Sequence, residues 1–395
     1  MISFDEAVQL VREVARPLGT DTIPVASAAG RVLAAPVIAR IDSPRSDVSA
    51  MDGYAVRESD LSDGETRLNI VGESFAGAGW SGTVGRGQCV RIFTGAPVPA
   101  GADRVVIQEC VSRDGDLALI LGRPGGPRHI RKRGDDFKAG QELIAPGRLL
   151  DKRAIVAAAG ADMAEVEVFA LPRVAILSTG DELAEPGKAS GRPDAIPESV
   201  SLGIAALADE WGAVIAHQER LRDDLPAMGP VAVNALAEAD LVVVTGGASV
   251  GEKDFAKAMF RSAPLEMIFS KVSIKPGKPV WFGRAGNGLV MGLPGNPTSA
   301  LVTARLLLAP LLAGMTGRNP DEALRWRSAM LGTPLTECGS RETFHRARWR
   351  GENVELLGSQ DSSAQRALVE ADVLVRQLAD SPGLPAGERV QILDF

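Results

Sequence analysis

Acidic and basic side chains lie close to several glycine- and proline-rich turns in the second half of the chain. Three such turns follow apolar runs, at 178–182, 245–251 and 292–297. Glycine lets a ligand come close to the backbone, and proline fixes a loop before the ligand arrives. The segment 274–279 adds lysines to the pattern. The combination predicts a preorganised pocket for an anion.

Carboxylates near these turns could hold a cation beside the anion. Glu182 and Asp254 are the predicted metal ligands, since Mg²⁺ prefers oxygen ligands and bridges to substrate phosphates. Asp224 is interpreted as the cap of the helix that begins near Pro226, and capping a helix is the alternative role for Asp181. The acids therefore predict a magnesium site with structural carboxylates close by.

Lysines on one short segment could neutralise phosphate or a second oxyanion. These are Lys271, Lys275 and Lys278. The alternative is that they are solvated surface lysines, as most charged residues in loops are. The flanking prolines favour Lys275 and Lys278 as ligands, because they fix the backbone that carries them.

The composition excludes several classes of function. A net charge of −7 argues against a nucleic-acid surface, and Tyr54 is the single tyrosine, so no aromatic platform for single strands is evident. The three cysteines form no CxxC pair and the three histidines are scattered. A zinc site or a disulfide framework is therefore not expected. A cytoplasmic location is expected, because disulfides are rare there. No GxxxxGK(S/T) motif supports a P-loop hydrolase.

No membrane segment is expected either. The most apolar segment, 301–317, is short and contains Arg305, so it is interpreted as a core helix. The chain opens with a capping-box pattern from Ser3 to Glu6 ahead of an amphipathic helix, not with a signal peptide.

Hydrophobic patterning predicts a multidomain protein of α/β and β structure. Apolar runs alternate with helical stretches in the second half, as in a doubly wound sheet covered on both faces. Short runs between Gly, Pro, Asp and Ser clusters indicate small β modules. The first predicted domain is a discontinuous helical linker at 1–37 plus 141–171, and an inserted β-rich domain spans 38–140. An α/β domain follows at 172–317 and a C-terminal β-domain at 318–395.

The turns fall where such a sheet binds ligands, outside the carboxyl ends of its strands. The alternative for any one of them is a tight strand-to-helix turn, but three turns at one edge favour binding. The β-rich module has conspicuous loops of its own, at 49–55, 94–97 and 131–136. By spacing alone, the Asp-Gly pair at 52–53 is interpreted as an ordinary turn, and the basic run at 131–133 as a solvated face.

Taken together, the motifs resemble those of the molybdopterin molybdenumtransferase family, which includes bacterial MoeA and the gephyrin E domain. The resemblance runs over nearly the whole chain in one order. Its motifs are Ser-Ala-Met-Asp-Gly-Tyr-Ala at 49–55, Thr-Gly-Ala-Pro at 94–97, Arg-Lys-Arg-Gly-Asp-Asp at 131–136, Ser-Thr-Gly-Asp-Glu-Leu at 178–183, Arg-Asp-Asp at 222–224, Gly-Gly-Ala-Ser-Val-Gly at 246–251, the lysine-proline segment at 274–279 and Gly-Leu-Pro-Gly-Asn-Pro at 292–297.

The resemblance implies an α/β domain of molybdopterin-binding type, a barrel-like C-terminal domain and a Mg²⁺-dependent transferase. Such an enzyme inserts molybdate into adenylylated molybdopterin and releases AMP. Catalytic roles are implied for Asp52, Thr94, Asp136, Glu182, Asp223 and Asp254. Substrate contacts are expected at Gly246, Gly247, Ser249, Lys271, Lys275, Lys278, Pro294, Gly295, Asn296 and Pro297.

The resemblance also implies a homodimer, with each active site between the α/β domain of one protomer and the β module of the other. Expected partners are an upstream molybdopterin adenylyltransferase and recipient molybdoenzymes, with no nucleic acid and no membrane.

One segment departs from the family pattern. The family usually has an Asp-Ser-Asn or Asp-Thr-Asn triplet where this chain has Ile-Pro-Glu-Ser-Val at 196–200. Either Glu198 replaces the acid, or contact with the adenylate or pterin is weaker. The second hypothesis is therefore a scaffold homologue that binds the cofactor without turning it over. A third, the preceding adenylyltransferase, leaves both β modules unexplained.

Overall fold

The computed structural model describes residues 1–246 and 255–395. The predicted site residues Gly247, Ser249 and Asp254 lie outside the described residues. The described residues form an α/β domain, an inserted β domain, a C-terminal barrel and a linker that connects them. The predicted fold class is confirmed.

The α/β domain is built on a mixed sheet with apolar central strands. Leu241–Thr245 is buried at every position, because both faces of the sheet are covered. Of the strands described in this sheet, the first four below are parallel to one another, the fifth is antiparallel to the fourth, and the sixth is antiparallel to the fifth. In spatial order they are Val214–Leu221, Arg173–Thr179, Leu241–Thr245, Gly288–Leu293, Trp281–Ala285 and Leu265–Phe269.

The edge strand Leu265–Phe269 differs in sequence from the central strands. It carries Glu266 and is partly exposed, so it lacks the continuous apolar run that marks its neighbours. The segment Ile274–Lys275, predicted as part of a loop, is a short strand that pairs with the C-terminal barrel.

Apolar side chains pack on both faces of this sheet. Val174 and Ile176 belong to one cluster, while Ala175 and Leu177 belong to another, as expected because successive strand residues point to opposite faces. The helices of the domain are Val200–Glu210, Leu225–Glu238, Phe255–Ala258 and Pro297–Met315.

The helix Pro297–Met315 is the segment of the described chain that is long and apolar enough to cross a membrane. In the structure, 89% of its apolar window is buried inside the protein. It packs against the N-terminal helix Phe4–Val14 in a shared cluster. The burial agrees with the predicted core helix.

The linker is less helical than predicted. Helix Phe4–Val14 begins after Ser3, whose hydroxyl accepts a hydrogen bond of 3.2 Å from the Glu6 N–H, and a second helix spans Lys152–Gly160. Glu165–Phe169, however, is a strand, because its apolar and charged residues alternate with a period of two. It pairs with Thr20–Pro24, and Glu142–Ile144 pairs with Val37–Ile38.

The inserted domain is a sheet with two apolar clusters. In spatial order its strands are Arg104–Ile107, Gly53–Val56, Gln88–Ile92, Glu65–Ser74, Leu117–Leu121 and Val111–Asp114. A short pair of strands, Val48–Ser49 and Ile130–Arg131, lies beside the Asp52 loop.

The C-terminal domain is a closed barrel around its own core. Its described strands are Glu342–Arg350, Asn353–Leu356, Arg327–Leu331, Arg389–Asp394 and Val373–Gln377, the last of which pairs again with the first. Short helices span Pro320–Ala323 and Gln365–Val369. Arg376 joins the barrel to the N-terminal helix: its guanidinium bonds Asp5 at 2.8 Å and lies 5.2 Å from the ring centre of Phe4.

Candidate functional site

A cavity of about 810 Å³ lies at the carboxyl ends of the parallel strands. This is the size of pocket that holds a small-molecule ligand, and the position is where open α/β sheets bind ligands. Eight of the predicted site residues line it, namely Glu182, Gly246, Lys271, Lys278, Pro294, Gly295, Asn296 and Pro297.

Closely packed backbone forms the floor of this cavity. Gly246 has φ +87°, and a Cβ placed there would lie 2.4 Å from the carbonyl oxygen of Thr179. A Cβ on Gly295 would lie 3.3 Å from the Cα of Gly246. The three strand-end turns therefore touch one another, and only glycine fits at Gly246 without displacing the backbone.

Two lysines give one wall of the cavity a positive charge. Lys271 and Lys278 are exposed and line the cavity. The turn between them packs against the helix Pro297–Met315. Gly277, with φ +107°, allows this contact because it has no side chain to collide with the Thr303 hydroxyl. An anionic ligand in the cavity would meet both charges.

Lys275 lies outside the cavity wall. It sits on the strand that pairs with the barrel, opposite Thr343. Burial lowers the pKa of His345, and the charge of Lys275 lowers it further, so the lysine lies on the barrel side of the segment. The structure thus separates Lys275 from Lys271 and Lys278.

Glu182 supplies a carboxylate to the cavity. Its side chain is exposed, and a Cβ on Gly180 would lie 2.6 Å from its Oε2. Within 1–246 and 255–395, no hydrogen bond or ion pair occupies this carboxylate, and no group of three or more metal-ligating side chains occurs. An oxygen ligand open to the cavity suits Mg²⁺, which takes one or two carboxylates and completes its shell with water and phosphate oxygens.

The other acids near these turns have different positions. Asp181 does not cap a helix, because the chain continues into the short strand Leu183–Ala184, which pairs with Ile196–Pro197. Its Oδ1 instead accepts a hydrogen bond of 3.2 Å from the backbone N–H of Asp223. Asp223 follows a strand but does not line the cavity.

Asp224 precedes the helix Leu225–Glu238, as predicted. Its side chain, however, makes no capping hydrogen bond. The helix has a proline in its first turn, which removes one of the N–H groups that need a partner.

The C-terminal barrel completes the cavity with residues that sequence reasoning missed. Ser363 and Gln365 line it. The Asn296 side-chain amide donates a 3.0 Å hydrogen bond to the Ser362 hydroxyl, and the buried Arg346 holds the carbonyls of Ser359 and Asp361 at 3.0 Å each. The local sequence carries no signal of this closure, because it depends on how the barrel docks.

The inserted domain holds a second group of predicted residues. Asp52 Oδ1 accepts hydrogen bonds from the Thr94 backbone N–H at 2.7 Å and from its hydroxyl at 2.8 Å. These bonds, with a smaller effect of the Arg91 charge, hold the pKa of Asp52 below its usual value. Gly53 begins a strand, and a Cβ there would lie 2.0 Å from the Val106 carbonyl oxygen. The loop is therefore rigid, with an ionised carboxylate.

Asp136 lies in a neighbouring loop of the same domain. Its backbone N–H donates to the Ser43 carbonyl at 2.9 Å, and its side chain is exposed. Ion pairs from Asp47 to Lys132 and from Asp42 to Arg133 fix this loop. Neither loop contributes to the cavity wall formed by the described residues.

The fold and the cavity define a multidomain α/β protein built to bind an anionic small molecule. Comparison with protein families identifies it further. The MoeA N-terminal region (domain I and II) matches residues 2–161, a "Probable molybdopterin binding domain" matches 175–314, and the MoeA C-terminal region (domain IV) matches 328–395. The chain belongs to the MoeA family of molybdopterin molybdenumtransferases.

Curated relatives agree over the full length. A molybdopterin molybdenumtransferase of Haemophilus influenzae is 34% identical over 100% of this chain and 99% of its own. Molybdopterin molybdenumtransferase 2 of Mycobacterium tuberculosis is 33% identical over 100% of both chains. A crystal structure of a molybdopterin biosynthesis MoeA protein from Pyrococcus horikoshii superposes with a TM-score of 0.86 at 25% identity over 100% of both chains.

Proposed function

We propose that the protein inserts molybdate into adenylylated molybdopterin and releases AMP. The observation that carries this proposal is the cavity, which brings Lys271, Lys278 and Glu182 together beside glycine-rich strand ends. The substrate carries a pyrophosphate, and molybdate is an oxyanion, so both need cations and backbone N–H groups. Full-length relatives named molybdopterin molybdenumtransferase support the same reaction.

In this proposal the chain's own residues bind and orient the substrate. Lys271 and Lys278 bind its anionic groups, and Pro294 and Pro297 shape the molybdate pocket at the end of a strand. Glu182, together with Asp254, would hold Mg²⁺, which offsets the charge that develops on the leaving phosphate. Preorganised charge of this kind is worth more in a water-poor cleft than in solution.

We also propose that the active site is completed by a second copy of the chain. The Asp52–Thr94 pair is rigid and charged, yet it is absent from the wall of the described cavity. In a symmetric dimer, the inserted domain of one protomer would bring Asp52 and Asp136 to the cavity of the other. Such an arrangement gives these carboxylates a role that a single chain does not.

The proposed setting of the reaction is the cytoplasm. The cysteines Cys89, Cys110 and Cys338 are all unpaired, as is usual in a reducing compartment. An adenylyltransferase that makes adenylylated molybdopterin must supply the substrate, and molybdoenzymes would take the product.

The test is AMP release from adenylylated molybdopterin with Mg²⁺ and low-micromolar molybdate. Parallel reactions contain tungstate or no oxyanion, and Asp52→Ala and Glu182→Ala variants serve as controls. The expected result is oxyanion-dependent release that both variants lose. Tight binding of the substrate without release would instead support the scaffold function.

A further inference from the structure

The acid in the segment that departs from the family pattern is turned into the protein. Glu198 is only 8% exposed, although it lines the cavity. Its Oε1 accepts hydrogen bonds from the Ser201 N–H at 2.8 Å and from the Ser178 hydroxyl at 3.3 Å. Its Oε2 accepts a hydrogen bond from the Ser201 hydroxyl. The carboxylate therefore caps the helix Val200–Glu210, and its charge is stabilised by hydrogen bonds from the protein.

Two chains of hydrogen bonds end at this carboxylate. The Thr245 hydroxyl donates to Ser178 at 3.1 Å, and the Gln218 amide donates to Ser201 at 2.6 Å. A carboxylate only accepts hydrogen bonds, so each serine must direct its proton towards Glu198. The direction of the Thr245 hydroxyl follows, because Ser178 then has only lone pairs to offer it.

This network forms part of the cavity floor, because Glu198 and Thr245 line the cavity, while Ser178 and Ser201 lie behind them. Ser178 and Thr245 are near the carboxyl ends of adjacent parallel strands, in register with each other. Thr245 precedes Gly246, whose backbone packs against Thr179. The Thr179 hydroxyl also bonds inward, to the Thr245 carbonyl at 3.4 Å. The floor therefore directs its hydroxyl groups away from a ligand.

We propose that Glu198 is a positioning residue that keeps the Ser178 and Thr245 hydroxyls turned inward and so fixes the Thr245–Gly246 turn for binding the phosphate of the substrate. The inference rests on the proposed function. It explains how the chain tolerates an acid beside an anionic ligand: hydrogen bonds satisfy the carboxylate inside the wall, and the lysines face the ligand. Glu198 then contributes to affinity and leaves the chemical step unchanged.

The test is a double-mutant cycle with Glu198→Gln and Ser178→Ala, using AMP as the probe. Gln is isosteric but must place an N–H₂ where Ser201 donates, so one buried donor loses its partner. We expect the Kd for AMP, measured by calorimetry, to rise about tenfold in Glu198→Gln, and less in Ser178→Ala. The double variant should bind AMP no more weakly than Glu198→Gln alone, because both changes act through one chain. The kcat for AMP release should stay within about twofold of wild type.

Several outcomes would overturn the proposal. An unchanged Kd with a lower unfolding temperature would reduce Glu198 to a stabilising cap. A neutral Ser178→Ala would show that the chain through Ser178 does not carry the effect on affinity. A kcat that falls with Glu198→Gln would indicate that the carboxylate acts in the chemical step and not through positioning. If Glu198→Gln fails to fold, the Kd of Ser178→Ala for AMP tests the proposal alone, because this variant removes only a hydroxyl. AMP binding without turnover by wild type would refute the proposed function while leaving this test intact, and no AMP binding would refute both.

Discussion

The cavity of the α/β domain and the Asp52–Thr94 loop of the inserted domain differ in how their charged groups are held. The cavity offers two lysines and a carboxylate without a partner among the described residues, so its charges are available to a ligand. The Asp52 carboxylate is already held by two hydrogen bonds from Thr94. The cavity and the rigid Asp52 carboxylate are therefore built in separate domains of the chain. The proposed dimer brings them together.

The largest effect is expected from the acid in the cavity. Glu182→Gln removes the charge of the proposed cation ligand and should lower kcat for AMP release by about 10²- to 10³-fold, the range seen when one electrostatic contact to a transition state is lost. Glu185→Gln is the matched control, because Glu185 is an exposed acid that follows the strand Leu183–Ala184 and does not line the cavity. Equal rates in the two variants would remove Glu182 from the mechanism.

A smaller effect is expected from the lysine wall. Lys278→Ala should weaken AMP binding by about 10- to 100-fold, because a charged hydrogen-bond donor contributes about 1.5–3 kcal/mol. Titration calorimetry at two salt concentrations measures it. Lys188→Ala removes an exposed lysine outside the cavity wall and should leave Kd unchanged. A comparable loss in both variants would indicate a general charge effect.

The cavity floor can be broken without touching the inserted domain. Gly246→Ala puts a side chain at φ +87° and 2.4 Å from a carbonyl oxygen, so it should lower the free energy of unfolding by about 2 kcal/mol or more. Gly30→Ala, at φ +79° with nothing within 4 Å of the new Cβ, isolates the conformational cost of about 1 kcal/mol. Urea unfolding measures both free energies. Equal losses in Gly246→Ala and Gly30→Ala would contradict the described packing around Gly246.

The smallest effect concerns the inserted domain and pH. Thr94→Val removes one of the two hydrogen bonds that lower the pKa of Asp52, so that pKa should rise. If the reaction needs ionised Asp52, activity falls as pH drops through this pKa, and the acid limb of the kcat/KM profile should move to higher pH. Thr22→Val, an exposed threonine of the linker, is the matched control. An unmoved acid limb would show that the limb reports another group.

Sequence reasoning located the cavity because its parts are short and local. Apolar strands followed by glycine turns place Gly246 and Pro294 at one sheet edge, and two of the three predicted lysines lie there. It does not reach features that tertiary packing decides. Asp181 has the sequence of a helix cap, but a strand follows it. Lys275 does not line the cavity, and its strand pairs with the barrel.

The contributions of Ser363 and Gln365 depend on barrel docking, which no local pattern encodes. The sequence also does not show the helix-capping role of Glu198. Two readings of this acid were open, and the structure adds a third, in which the carboxylate caps a helix inside the cavity wall. Helix caps of this kind are recognisable only once the helix start is known, and here the helix begins two residues later, at Val200.

The most direct test of the account is complementation between two inactive protomers. Asp52→Ala and Glu182→Ala chains carrying different affinity tags are co-expressed, and the mixed dimer is purified through both tags. If each site combines the cavity of one protomer with the inserted domain of the other, one of the two sites is wild type, and AMP release should recover to about half the wild-type rate. A mixed dimer as inactive as its two parents would contradict the account, because it would place Asp52 and Glu182 of the same chain in one site.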